Sequence, residues 1–106
     1  MIFIVVRFTV RPEVADSWLD ITADFTAATR AEPGNVFFDW SRSVDDPNVY
    51  LLTEGFQDDA AEAHVTSAHF RTAMAELPKA IATTPQIINV TIPQDDWSEM
   101  AELKPA

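Results

Sequence analysis

The chain has no cysteine, which excludes disulfides, a thiolate nucleophile and any cysteine-ligated zinc or iron–sulfur centre. Glycine occurs only as Gly34 and Gly55, so there is no Gly-rich phosphate loop and no Rossmann or P-loop nucleotide site. Cations are scarce. Seven Lys and Arg stand against seventeen Asp and Glu, for a net charge of −10. Nucleic acids and anionic membrane surfaces want the opposite sign, so neither is expected as a partner. The apolar start Met1-Ile2-Phe3-Ile4-Val5-Val6 meets Arg7 at once. It is too short to span a bilayer and carries no basic n-region or cleavage site. The expectation is a soluble, cytoplasmic protein. Repeats and low-complexity segments are also lacking.

What is present is one domain's worth of chain, 106 residues with an apolar share of 47%. Such a chain buries about 65% of its unfolded surface, enough for a modest core. Residues 2–10 are β-branched and aromatic and read as a strand, with apolar residues on both faces. Ile2, Ile4, Val6, Phe8 and Val10 share one face, and Phe3 and Val5 the other. Both faces must therefore be covered. Pro12 opens a helix whose apolar stripe is Val14, Trp18, Ile21, Phe25 and Ala28, closed by Pro33-Gly34. Val36–Arg42 and Val49–Phe56 form a hairpin about the turn Asp45-Asp46-Pro47-Asn48. Asp58 or Asp59 is expected to cap the next helix, and Ser67 its continuation through Phe70, Met74, Leu77 and Ile81. Met74 reads as core, and Pro78 should kink or break this helix. Gln86–Ile92 is the fourth strand. Asp96-Trp97-Ser98-Glu99 resembles a capping box opening a short terminal helix.

The order β-α-β-β-α-β predicts a ferredoxin-like α+β fold, a four-stranded antiparallel sheet with helices on one face. The domain is expected to span residues 1–92, followed by a C-terminal extension over 93–106. The second apolar face of strand one calls for a partner, and a two-fold homodimer packed sheet to sheet is the economical answer.

Both histidines fall in one segment, Glu54-Gly55-Phe56 through His64-Val65-Thr66-Ser67-Ala68-His69-Phe70. Histidine alone has an unperturbed pKa near neutrality, so proton transfer here would involve one of them. His64 and His69 are five apart, not the i, i+4 spacing that puts two ligands on one helix face, and no metal is expected.

Four pieces in order resemble a known family: Ala31-Glu32-Pro33-Gly34-Asn35, Arg42-Ser43-Val44-Asp45-Asp46-Pro47-Asn48, Leu52-Thr53-Glu54-Gly55-Phe56, and His64 to Phe70. Together they look like the antibiotic biosynthesis monooxygenase family of dimeric α/β barrels, over roughly residues 2–92. The resemblance implies a small pocket between sheet and helices. Family members include cofactor-free oxygenases of anthrone-like polyketides and quinols, haem-degrading enzymes and an isomerase of a small phosphate. Phe56 stands where the family often has tryptophan. Val6 stands where the haem-degrading branch has asparagine, which weighs against haem.

With that resemblance, His64 is the candidate general base and Glu54 its orienter. Phe38, Trp40, Tyr50 and Phe56 are candidate pocket walls for a planar ring. His69, at a helix start, is a substrate-contact candidate or a capping and packing residue. Glu54 has a plainer alternative, an inter-subunit or strand-edge ion pair with Arg7 or Arg42. The expected activity is cofactor-independent monooxygenation of an electron-rich aromatic, quinol or polyketide-like molecule, with dioxygen as co-substrate and no cofactor. The other readings are an isomerase or cyclase using the same base, a non-catalytic dimeric binding protein and, third, a haem binder.

Overall fold

A computed structural model describes all 106 residues. Strand β1 (Ile2–Thr9) is followed by a 3-10 turn (Pro12–Ser17), helices α1 (Trp18–Ile21) and α2 (Ala23–Arg30), and the hairpin β2 (Asn35–Arg42) and β3 (Val49–Phe56). Helices α3 (Ala61–Val65) and α4 (Ala68–Glu76), a 3-10 turn over Leu77–Lys79 and strand β4 (Gln86–Thr91) complete the fold. The strands are ordered β2-β3-β1-β4, with every pair antiparallel, as expected of a ferredoxin-like sheet.

The register places Val6 beside Leu52 and Phe8 beside Tyr50, and Trp40 beside Leu52. Side chains alternate across a strand, so these residues share the helix-covered face. There Val6, Phe8, Val10, Trp18, Phe38, Tyr50 and Leu52 form the core with Ala73, Leu77 and Ala80. Trp18 is fully enclosed, with Phe8 and Trp40 rings 5.3 and 5.6 Å away by centroids. The opposite face carries Phe3, Val5, Leu51, Ile88 and Val90. No helix lies over it, and Ile88 is 64% exposed.

The first helical region departs from the expected single helix. It breaks at Thr22, whose Oγ1 donates back to the Trp18 carbonyl oxygen at 2.9 Å, a bond that competes with regular helix geometry. The buried stripe is rotated accordingly. Ala15, Trp18, Thr22, Thr26 and Thr29 face inward, while Ile21 lies exposed. Three further expectations fail. Neither Asp58 nor Asp59 caps α3, which starts behind Ala60 without a side-chain cap. Met74 is half exposed, because Ala73 and Leu77 turn to the core instead. Residues 93–106 contain no helix. Asp96 Oδ1 accepts only from its neighbour Trp97 N–H (2.8 Å), and Trp97 lies on Phe37 of its own chain, 5.4 Å between centroids. Ser67 does cap α4, accepting from the Phe70 N–H, and a 3-10 turn marks the break at Pro78.

Tyr50 Oη donates to the buried Ala15 carbonyl at 2.8 Å and ties β3 to the first helical turn. Tyr50→Phe should remove that bond, leaving the carbonyl with the Trp18 N–H alone, and lower stability by about 1 kcal/mol, read from denaturant midpoints.

Candidate functional site

Three elements converge on one carboxylate. Glu32 lies in the turn between α2 and β2, and that turn is pinned at both ends. Its N–H donates to the Thr29 carbonyl (3.0 Å) and its carbonyl accepts from the Asn35 N–H (3.1 Å). The next turn of chain comes very close to α3, since a Cβ added to Gly34 would stand 2.3 Å from Ala60 Cβ. Glycine is needed here for approach, not for an unusual dihedral, because no residue has positive φ.

His64 lies in the last turn of α3, and its carbonyl is held by the Ser67 side chain at 2.6 Å. Ser67 at the same time caps α4, whose first turn carries His69. The helix axis therefore breaks between the two histidines. Residues five apart, which would diverge on one continuous helix, face the same point. His64 Nδ1 and His69 Nε2 each lie 2.7 Å from Glu32 Oε2. An ionised carboxylate only accepts, so both ring nitrogens carry their proton when both bonds are made. For neutral His64 this leaves the lone pair on Nε2.

That nitrogen points toward Glu54, whose Oε1 is 3.9 Å away, too far for a direct hydrogen bond. Glu54 is buried on β3 between its register partners Ile4 and Phe38. Desolvation there, with the Glu32 charge adding to it, pushes the Glu54 carboxyl up to about 7. The consequence for stability has a definite sign. Between 4.5 and about 7 the folded protein keeps a proton that the unfolded chain has lost. Stability should therefore fall as pH rises through that window, by about 3 kcal/mol, and level off above it. Glu54→Gln should abolish that decline and make the protein more stable than the parent at pH 8, measured by urea unfolding across pH.

Aromatic rings enclose His64. Phe56, Phe70, Phe25 and Phe38 have centroids at 4.7, 5.2, 6.0 and 6.4 Å from its ring. A cavity of about 410 Å³ between α2 and α4 is lined by Ile21, Phe25, His69, Thr72 and Leu77, among others. Its Phe25 and His69 walls adjoin the His64 ring.

Of the expected site residues, His64, Glu54, Phe56, Phe38 and His69 come together. Trp40 and Tyr50 do not reach His64. They pack with Phe8 and Trp18, and Trp40 Nε1 donates to Thr26 Oγ1 at 2.9 Å. Within the chain, Glu54 makes no ion pair with Arg7 or Arg42. Arg7 donates to Gln86, and Arg42 to the Pro47 carbonyl and Asp16. Nor does Glu54 hold the Nδ1 of His64, since that place is taken by Glu32. Glu32, inside the Ala31–Asn35 motif, is a site residue that no periodicity in the sequence marks. Phe25 and Phe70, helix-stripe positions by their spacing, also pack on the His64 ring.

Fold and site together define a ferredoxin-like α+β domain with a buried acid–histidine array beneath its helices. The chain belongs to the antibiotic biosynthesis monooxygenase family, whose model matches residues 1–76. It is 30% identical over 77 residues to the Bacillus subtilis (strain 168) protein named "Putative monooxygenase YcnE", covering 72% of this chain and 81% of that one. Among solved structures, the "putative antibiotic biosynthesis monooxygenase" of Caulobacter crescentus CB15 superposes with a TM-score of 0.80 at 25% identity, over 88% of this chain and 90% of the other. Rv0793 from Mycobacterium tuberculosis superposes at 0.78 and 22% identity, over 92% and 98%, and speaks to the fold alone.

Proposed function

We propose that this protein is a cofactor-independent monooxygenase of an electron-rich aromatic, quinol or polyketide-like small molecule, with His64 as general base. The observation that carries this reading is the Glu32–His64 hydrogen bond, which leaves the Nε2 lone pair on the side of buried Glu54, in a ring surrounded by four phenylalanines. Glu32, not Glu54, is then the orienting residue. A substrate hydroxyl or enol admitted off the His64–Glu54 line, 3.9 Å long, would reach both at about 2.8 Å.

The chemistry is balanced without a redox cofactor. For an anthrone-like methylene, His64 Nε2 takes one C–H proton and the resulting anion gives one electron to dioxygen. The substrate radical and superoxide combine to a peroxide, which recovers a proton from the imidazolium. Loss of the second C–H proton with hydroxide, as water, leaves the ketone. Glu54, raised to about 7, supplies a hydrogen-bond donor to the developing peroxide oxygen when protonated. The phenylalanine rings keep water from this sequence.

The protein works as a homodimer packed through the open sheet face. The support is the uncovered apolar surface there, with Ile88 and Val90 64% and 43% exposed. Sedimentation equilibrium should give twice the chain mass, and a monomer at micromolar concentration would refute it. No helix is long and apolar enough to cross a membrane, and the site is read as acting on a neutral soluble substrate in the cytoplasm.

Oxygen consumption by chelator-treated protein with a panel of quinols and hydroxyanthrones tests the oxygenase reading. Uptake above the uncatalysed rate, with one dioxygen consumed per product, is expected. Product formed equally fast without oxygen would transfer the site to an isomerase or cyclase.

A further inference from the structure

We propose that Glu32, His64 and His69 form a binding site for a divalent first-row transition ion such as Zn²⁺, and that ion binding and base function are mutually exclusive states of this cluster. One carboxylate oxygen and two imidazole nitrogens, from three separate elements, all lie within 4.8 Å of one another. Two nitrogens and an oxygen are a donor set suited to zinc and its neighbours. Ligand bonds of about 2.0–2.2 Å place neighbouring donors of a tetrahedral ion about 3.4 Å apart. The Glu32 oxygen now sits at 2.7 Å from each nitrogen, so it must back away by less than about 1 Å while the rings draw in.

The surroundings suit an ion as well. His64 is enclosed and Glu32 nearly so, with side-chain exposures of 7% and 13%, so water competes weakly for these donors. Coordination through Nδ1 moves the His64 proton to Nε2, where the Glu54 carboxylate stands 3.9 Å away. An approach of the Glu54 side chain by about 1 Å would let it accept that N–H, as carboxylates behind ligating histidines commonly do. His69 is more open, at 23%, and lines the α2–α4 cavity, which gives the ion a way in. Three protein ligands leave a coordination position free.

The exclusion follows from the ring. A metal on Nδ1 fixes the proton on Nε2 and takes away the lone pair that His64 needs as a base. This consequence rests on the oxygenase reading, but binding itself does not, and it is measured without substrate.

The test is Zn²⁺ titration of metal-free protein against a chromophoric chelator, with His69→Ala and Glu32→Gln alongside. One ion per chain is expected, with affinity lowered at least about tenfold in each variant, since even outer partners of metal ligands are worth that much. Comparison with the variants separates the cluster from weak binding by the acidic surface. Should a variant not fold, ¹⁵N spectra of the wild-type imidazoles decide. Saturating Zn²⁺ should move the proton of His64 from Nδ1 to Nε2 and shift His69 Nε2. Absence of saturable binding, equal binding by the variants, or unmoved histidine signals would each overturn the proposal. Oxygen uptake that persists in metal-free protein would stand whichever way this test falls.

Discussion

His64→Ala should lower the oxygen-uptake rate by at least about 100-fold, with its larger part in kcat, because positioned proton transfer contributes about 10²–10⁴. Alanine removes the inward lone pair and leaves Glu32 with His69 alone. The fold should survive, since His64 is not part of the main aromatic core around Trp18. Circular dichroism unchanged from the parent would establish that. The cavity left by the ring suits free imidazole, and added imidazole should restore part of the rate. Glu32→Gln should give a smaller loss, about 10–100-fold, as expected for a group that acts through the histidine. Activity within a factor of two of the parent in His64→Ala would remove this residue from the chemistry.

The largest effect on stability is expected from Trp18→Ala, about 3–5 kcal/mol. Trp18 is fully buried and is the ring on which Phe8, Trp40 and Tyr50 meet. It also joins the helical layer to β1, β2 and β3 at once. In a domain of this size each kcal/mol is worth about 4–8 °C, so the melting temperature should drop by more than about 12 °C. Trp18→Phe should cost clearly less. It keeps most of the ring contacts and removes an indole N–H that is buried without an acceptor. Calorimetry on the two variants checks both statements, and equal losses would contradict the packing account.

The sheet was legible because its signal is local. Alternation in Ile4-Val5-Val6-Arg7-Phe8 gives the faces of β1, and the hairpin turn at Asp45–Asn48 gives the register of β2 against β3. The helices were less legible. Periodicity from Val14 to Ala28 spoke for one continuous helix, and nothing in it revealed that the Thr22 hydroxyl would bond backward and rotate the buried face. The site was read in part for the same kind of reason. His64 was visible as a histidine on a helix flank, and Glu54 as a carboxylate on a covered strand face. The partner that holds His64 is 32 residues earlier in the chain, in a turn whose position depends on how closely Gly34 approaches Ala60. The spacing of His64 and His69 argued against a shared ligand only on the assumption of an unbroken helix. The cap at Ser67 removes that assumption. A glutamate directly before Pro33-Gly34, at a helix end where the dipole does not favour an acid, was the one available signal.

Base function requires a bare Nε2 on His64, and nitrogen-15 spectra of the metal-free protein read the position of the ring proton directly. In the neutral ring, a proton on Nδ1 of His64 and a bare Nε2, with the Nδ1 proton shifted far downfield by Glu32, is the predicted tautomer. A proton resident on Nε2 in metal-free protein would mean that no lone pair faces the phenylalanine-lined interior, and His64 could not be the base.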